Sequence, residues 1–368
     1  MSEAFVEIDR GAVYRCEAGS PYQVAVTSRC VKTAEGELVC SFVLRASLEA
    51  NEGVVALSRS RDGGRTWTAP EAVWPDLADT CQLVCSISAA PDGRLLLWGM
   101  RTPIDAPGES VWCEETQGLK QNDLVWSESV DGGRSWRRPA AIPMPEAGSA
   151  EAPGAMCVTR SGVMLGPYAP YNTFDPNLKV DREQVIVVRS ADGGESWHHA
   201  SMLRFAEAGS GAAEAWVVEL ADGRLLGTSW HMNMVDRKNY PNGYALSHDG
   251  GLTWTPTRST GTKGHTTVLT PLPDGRALFG CVVRDDRVGI SLAVVSPTEE
   301  DFGIQSQQMI FEAPRATQSG GNPQHDQWKD FCFGEPSLTL VDAETLLVTY
   351  WSIEPAFRGV RSMRFRMR

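Results

Sequence analysis

No stretch of this 368-residue chain approaches the run of about eighteen consecutive apolar residues that a membrane-spanning helix needs. No segment longer than three turns repeats its apolar residues with the period of a helix, so strands are expected to carry the fold. Positive charge is in deficit. There are 34 Lys and Arg against 46 Asp and Glu, a net charge of −12, so the surface as a whole should repel nucleic acid and anionic membranes. A small anionic ligand held by a local arginine cluster remains compatible with that balance. The P-loop, the Gly-rich dinucleotide turn, His-Glu-x-x-His and the Gly-x-Ser-x-Gly elbow are all missing, which leaves nucleotide and nicotinamide chemistry without support. The first residues, MSEAFVEIDR, lack the basic start and apolar run of a secretory signal, and a cytoplasmic location is the expectation.

Metal-ligand spacing is also missing. Nine cysteines are an odd count, and most lie in apolar strand-like segments such as ELVCSFVL and LVCSISAA, which suggests buried free thiols. Cys81 and Cys85 are four positions apart with no second Cys or Cys/His pair at zinc spacing, so no metal and no cofactor are expected. Apolar residues make up 42% of the chain and charged residues 22%, enough core for a folded soluble protein.

What the sequence has in abundance is repetition. Ser60-Arg-Asp-Gly-Gly-Arg-Thr-Trp67 recurs at Ser129–Trp136, Ser190–Trp197 and Ser247–Trp254 as Ser-x-Asp-Gly-Gly-x-Ser/Thr-Trp. Each copy follows a strand-like run, which is the grammar of a hairpin. The Asp accepts backbone N–H groups within the turn, the glycines supply positive φ, and the Trp covers the turn. A weaker repeat places a two-residue turn between two apolar runs, at Glu35-Gly36, Asp92-Gly93, Ser161-Gly162, Asp222-Gly223, Asp274-Gly275 and Asp342-Ala343. Six copies, spaced about 52 to 69 residues apart, predict an all-β fold: a six-bladed β-propeller of four-stranded antiparallel blades forming one domain over residues 1–368. Blade five offers only Ser296–Phe302 in place of the full turn. Blade six runs out at Arg368, and residues 4–16 are expected to supply its outermost strand, which removes an exposed sheet edge. Residues 317–327 read as a long polar loop.

These Asp boxes on a six-unit frame resemble the sialidase superfamily, the bacterial neuraminidase repeat proteins, over nearly the whole chain. The likeness is strongest at Phe42-Val-Leu-Arg45 with the first Asp box, and at Glu214-Ala-Trp through Leu226 with the fourth. The resemblance implies the family's fold and its carbohydrate habit. It also implies a site of three arginines, a Tyr with a supporting Glu, and an Asp acid, and there this chain departs from the pattern. Arg29 stands for the first arginine without its Arg-Ile-Pro signature, and Glu214 stands for the Glu. Trp230-His231 occupies the place of a clamping arginine, Phe333-Gly-Glu335 the place of the Tyr, and Glu49 and Glu52 stand where the Asp is sought. A true sialic-acid hydrolase is therefore not expected.

In a propeller the innermost strand of each blade starts at the ligand funnel and the second strand ends there. Positions before the six turns nominate Arg29, Gln82 or Asp79, Glu151, Glu214, His265 and Glu335. Positions after them nominate Arg45, Arg101, Tyr168 with Tyr171, Trp230 with His231, Arg284 and Trp351. These are groups that stack on sugars and move protons. The leading expectation is an exo-acting glycoside hydrolase that removes a terminal acidic sugar from a small saccharide, with Glu335 and Glu214 as its carboxyl pair and Arg29, Arg45 and Arg284 orienting substrate. Arg101, Glu151, Tyr168, Tyr171, Trp230 and Trp351 complete the expected binding wall. A lyase using His231, His265 or Tyr171 as base, and a binding propeller without catalysis, are the alternatives.

Overall fold

The computed structural model describes residues 4–48, 50–236, 238–284, 287–313 and 332–368. Within them the strands form six blades, each an antiparallel sheet built outward from the axis. Blade one comprises Val24–Lys32, Leu38–Arg45, Gly53–Ser60 and Glu71–Ala72. Blades two, four and five repeat the plan from innermost strands Cys81–Ala89, Ser210–Glu219 and His265–Pro271. The innermost strand of blade three is split into Ser149–Glu151 and Cys157–Val158, both paired with Met164–Tyr171. The expected closure is present in blade six. Phe5–Arg15 pairs antiparallel with Phe357–Met367 as the outermost strand, fixed by a salt bridge from Arg364 to Asp9. The polar stretch 317–327 lies outside the described residues.

The Asp boxes act as the sequence suggests. In the first, Asp62 Oδ1 accepts the N–H groups of Arg65 at 3.0 Å and Thr66 at 2.9 Å, while Trp67 Nε1 donates to Gly64 O at 3.1 Å. The box also serves a neighbour. The second glycine of each one faces the preceding blade: Gly64 lies on Leu347, Gly133 on Arg59, Gly194 on Trp126 and Gly251 on Leu165. Arg59 of blade one donates to the carbonyls of Gly132 and Gly133 in blade two at 2.8 and 2.6 Å. In blade five Phe302 takes the place of the Trp, buried against Tyr244 and Phe279 with ring centroids 5.0 Å away in each case.

Near the axis, each seam between blades is closed by a polar side chain reaching across to a backbone group. Ser41 Oγ accepts from Ile87 N, Ser86 Oγ donates to the Pro153 carbonyl, and Thr270 Oγ1 donates to the Leu338 carbonyl. Ser337 Oγ accepts from Cys30 N, closing the ring between blades six and one. Buried backbone groups are rarely left unpaired, so these ties satisfy atoms that the ladders leave over.

The packing gives a paired test. Gly194 has φ 93° and a Cβ there would fall 2.2 Å from the Trp126 ring, whereas Gly193 has φ 74° and open space. Gly193→Ala should cost about 1–2 kcal/mol for the left-handed backbone alone. Gly194→Ala adds an overpacking penalty of about 1–3 kcal/mol. Urea unfolding of the two variants should separate them, and equal midpoints would contradict the blade-to-blade role.

Candidate active site

Four of the six innermost strands are interrupted where they reach the funnel. Thr27, Glu214, Thr266 and Glu335 have φ of 55°, 53°, 54° and 48°, the left-handed region that residues with side chains seldom occupy. In blades one, four and six the interruption is a bulge of two residues opposite one: Thr27-Ser28 faces Phe42, Glu214-Ala215 faces Ser229, and Glu335-Pro336 faces Tyr350. Such conformations cost on the order of 1–3 kcal/mol each and persist where the surroundings over-determine them. A bulge re-aims the side chain it carries. Here two of the re-aimed side chains are the expected carboxyl pair.

The surrounding blades hold both bulges by their backbones. Glu214 N–H donates to Glu151 Oε2 of blade three at 2.8 Å, and Thr267 Oγ1 of blade five donates to Glu214 O at 3.1 Å. At the other bulge, Arg29 Nη1 of blade one donates to Glu335 O at 3.1 Å, while Arg284 Nη2 of blade five donates to Phe333 O. Arg29 is fully buried, with its guanidinium over the Trp216 ring at 5.1 Å. Its Nε and Nη2, and Nε of the buried Arg45, have no hydrogen-bond partner among the described residues. Glu214 and Glu335 keep a partly accessible side chain, yet Oε2 of each is sealed from solvent and also lacks a partner there.

Electrostatics bind the cluster together. Burial, then the charge of Glu335, push the Glu214 carboxyl up to about 7, against the opposing pull of Thr266, Arg29 and Arg284. Burial and the neighbouring Glu214 push Glu151 well above the usual carboxylate range. Burial draws Arg284 down to about 9 and Arg45 to about 10, with glutamates opposing the change, so both remain cationic at neutral pH. Tyr171 is buried within the field of Glu151 and Glu214, and burial raises its phenol.

The structure thus brings together Arg29, Arg45, Glu151, Tyr171, Glu214, Arg284 and Glu335. Trp351 is adjacent: a Cβ on Gly334, the residue before Glu335, would lie 2.9 Å from its ring. Trp230 and His265 stack on each other at 4.1 Å, and Asn239 joins them, accepting from Trp230 Nε1 at 2.9 Å and bonding His265 Nε2 at 3.0 Å. Because the indole N–H only donates, the Asn239 amide must offer its N–H to His265 Nε2, which places the imidazole proton on Nδ1. That nitrogen is not open to abstract a proton. His231 lies elsewhere, stacked on Phe205 at 3.9 Å and bonded to Ser210 Oγ at 2.9 Å. Arg101 pairs with Asp123 at 2.7 Å on the exposed rim, and Tyr168 is buried in the core between blades two and three. Strand counting cannot separate these from the funnel set, because a one-residue offset turns a side chain to the other face. Asp79 is bypassed by blade two, whose Gln82 instead donates to Ala50 O at 2.9 Å. Glu52 accepts from Gly108 N at 2.8 Å, and Glu49 lies outside the described residues. Trp216, Thr266 and Thr267 are functional neighbours that sequence reasoning missed; they reach the cluster only through the bulges.

The propeller and its Asp boxes define a class, and comparison with known proteins places the chain in it. Residues 109–302 match the BNR repeat-like domain, and the chain belongs to that family. It is a divergent member of the sialidase-like superfamily. A sialidase of Bacteroides fragilis (strain YCH46) is 24% identical over 351 residues, 88% of this chain; the chain spans 59% of that relative's length. Among solved structures, a protein of unknown function from Dyadobacter fermentans DSM 18053 superposes with a TM-score of 0.75 at 21% identity, covering 99% of this chain and 100% of the other. A Hadza microbial sialidase superposes with a TM-score of 0.68 at 18% identity, covering 97% of this chain and 68% of its own.

The raised pKa of Glu214 makes folding stability depend on pH. Folded Glu214 holds its proton to about pH 7, whereas the unfolded chain releases it near pH 4.5, so folding takes up a proton between these values. Stability should therefore fall as pH rises from about 4.5 to 7 and level off above, a loss on the order of 3 kcal/mol from this group alone. Urea titrations at pH 5 and pH 8 should show Glu214→Gln with a smaller difference than the parent. Equal differences would mean that Glu214 is not held protonated.

Proposed function

We infer that the chain is an exo-acting glycoside hydrolase that releases a terminal acidic sugar from a small saccharide. The sialidase-like fold supports a glycoside hydrolase or carbohydrate-related role at the level of the family. The observation that carries the finer reading is the meeting of Glu214 and Glu335, each on a left-handed bulge, with three buried guanidiniums. Glycoside hydrolysis needs one carboxylic acid to protonate the leaving oxygen and one carboxylate as nucleophile or base. Glu214, protonated near neutrality, suits the acid role. Glu335, whose carbonyl is held by Arg29, is the second carboxyl group, for the role at the anomeric carbon. As the glycosidic bond breaks, the electron pair leaves with the oxygen that Glu214 protonates; water then supplies the hydroxyl of the released sugar and gives its remaining proton to the carboxyl pair, which restores the proton Glu214 donated. Arg29, whose Nε and Nη2 have no partner among the described residues, and Arg45, whose Nε has none, are suited to a carboxylate on that sugar.

The segment 104–122, between the second and third main strands of blade two, is tied to blade one by Asn51 Nδ2 to Ala106 O at 2.9 Å, and to blade three by Asn172 Nδ2 to Thr116 O at 2.7 Å. The lyase reading is weakened by the placement of the histidines: His231 is stacked away from the carboxyl cluster, and Nε2 of His265 is already engaged.

A panel of 4-methylumbelliferyl glycosides of N-acetylneuraminic, glucuronic and galacturonic acids tests the reading. Release from the neuraminide should be slow or absent, since Trp230 and Glu335 stand where an arginine and a tyrosine would serve that sugar. Another acidic glycoside should be cleaved, and Glu214→Gln and Glu335→Gln should each lower its turnover by about 10²-fold or more. Normal rates in both variants together with an inactive His265→Ala would favour elimination, visible as ultraviolet absorbance of an unsaturated uronate. Saturable binding of these sugars with no turnover would leave a binding propeller.

A further inference from the structure

We propose that Glu151 is a positioning residue for Glu214: its carboxyl group holds the left-handed peptide that aims Glu214 into the funnel, without itself touching substrate. The proposal rests on the glycosidase reading only where turnover is measured.

The comparison is internal to the ring. Near the axis, the seams between blades one and two, two and three, four and five, five and six, and six and one are each tied by a hydroxyl, from Ser41, Ser86, Thr267, Thr270 and Ser337. The seam between blades three and four has a carboxyl group in that place, and what it accepts is the N–H of Glu214 itself. The first part of the inner strand of blade three ends at Glu151, and the chain continues through Ala152-Pro153-Gly154 to Cys157–Val158. That segment returns to the same bulge at a second point: a Cβ on Gly154 would fall 2.1 Å from the Ala215 carbonyl oxygen. Blade three thus holds the peptide before Glu214 through Glu151 and lies close against the Ala215–Trp216 peptide at Gly154. Thr267 completes the hold from blade five by donating to the Glu214 carbonyl.

A carboxyl group in this position must coexist with two others. The groups facing it are Glu214, Glu335, Arg29 and Tyr171. Burial and then the charge of Glu214 favour its neutral form, whose carbonyl oxygen still accepts an N–H. Glutamine is then nearly its isostere, with an amide oxygen as acceptor. A group that transferred a proton to substrate would not tolerate that exchange.

The test compares Glu151→Gln, Glu151→Ala and Gly154→Ala, with folding checked by thermal unfolding. On whichever glycoside of the panel the parent cleaves, Glu151→Ala should lower kcat by about 10- to 100-fold with KM within about twofold, the signature of a misaimed catalytic group. Gly154→Ala should do the same without altering any ionisable group, and Glu151→Gln should restore kcat to within about threefold of the parent. An activity-free arm uses carboxyl-labelled glutamate and carbon-13 NMR: the Glu214 midpoint, near 7 in the parent, should persist in Glu151→Gln and fall toward the ordinary carboxylate range in Glu151→Ala. If Glu151→Gln is as inactive as Glu214→Gln while the Glu214 midpoint is unchanged, Glu151 transfers a proton itself and the proposal is overturned. It is equally overturned if the Ala variant leaves the Glu214 midpoint at the parental value. Should no glycoside be cleaved even by the parent, the NMR arm still decides the positioning role, and only the glycosidase reading fails.

Discussion

The seams between blades set the terms for everything near the axis. Six innermost strands converge there, and their outward ladders leave inward backbone groups that water reaches poorly. Each seam is closed by a side chain borrowed from the adjacent blade, and at the funnel the same device holds the bulges of blades four and six. A glutamate at φ near 50° would relax if its peptide were free. It does not, because the N–H of Glu214 is taken by Glu151, its carbonyl by Thr267, and the carbonyl of Glu335 by Arg29. The strain and the ties are one arrangement: removing a tie releases the aim of a carboxyl group.

This arrangement explains why charges can be stored so deep. An isolated buried guanidinium or carboxylate would be driven to its neutral form. Here three guanidiniums lie among three carboxyl groups, two of which are pushed toward the protonated state. Near neutral pH the cluster then holds more cationic than anionic charge. An acidic ligand would complete that balance, and its carboxylate would find Arg29 and Arg45 donors already aimed and desolvated, which limits the reorganisation needed on binding. The chain's overall charge of −12 has no bearing on this, because the cluster is screened from the surface by the blades.

The fold was legible because its devices are local. An Asp box is an eight-residue pattern that makes its own turn, and a two-residue turn between apolar runs marks the far face of a blade, so six copies could be counted and the missing outermost strand traced to residues 4–16. Half of the site was legible for the same reason, since strand length carries a residue to the funnel mouth: Arg29, Arg45, Glu151, Tyr171, Glu214, Arg284 and Glu335 meet as expected. Direction was not. Arg101, Tyr168 and His231 sit at the right height on their strands but face the rim or the core, and bulges shift that parity without a fixed sequence mark. The nearest thing to a mark is Pro336, whose missing N–H is tolerated at a bulge and which follows Glu335 directly. Glu214-Ala215 bulges identically with no proline.

The same separation of devices accounts for how the chain keeps a sialidase-like frame while its site departs from the sialidase pattern. The Asp boxes and outer strands fasten blade to blade far from the axis, through contacts such as Arg59 on Gly133 and Gly194 on Trp126. At the funnel, Trp230 is fixed by Asn239 and His265 where the resemblance places an arginine, so that position is rebuilt around a stacked pair. Glu335 stands where the resemblance places a tyrosine, and its backbone is held by Arg29, which the resemblance sets in the place of the first arginine. Arg29 therefore acts on this position through the main chain, independent of the side chain there. A frame that fixes the backbone at each blade tip, and leaves the side chain to vary, lets one propeller present different chemistry at the same six points.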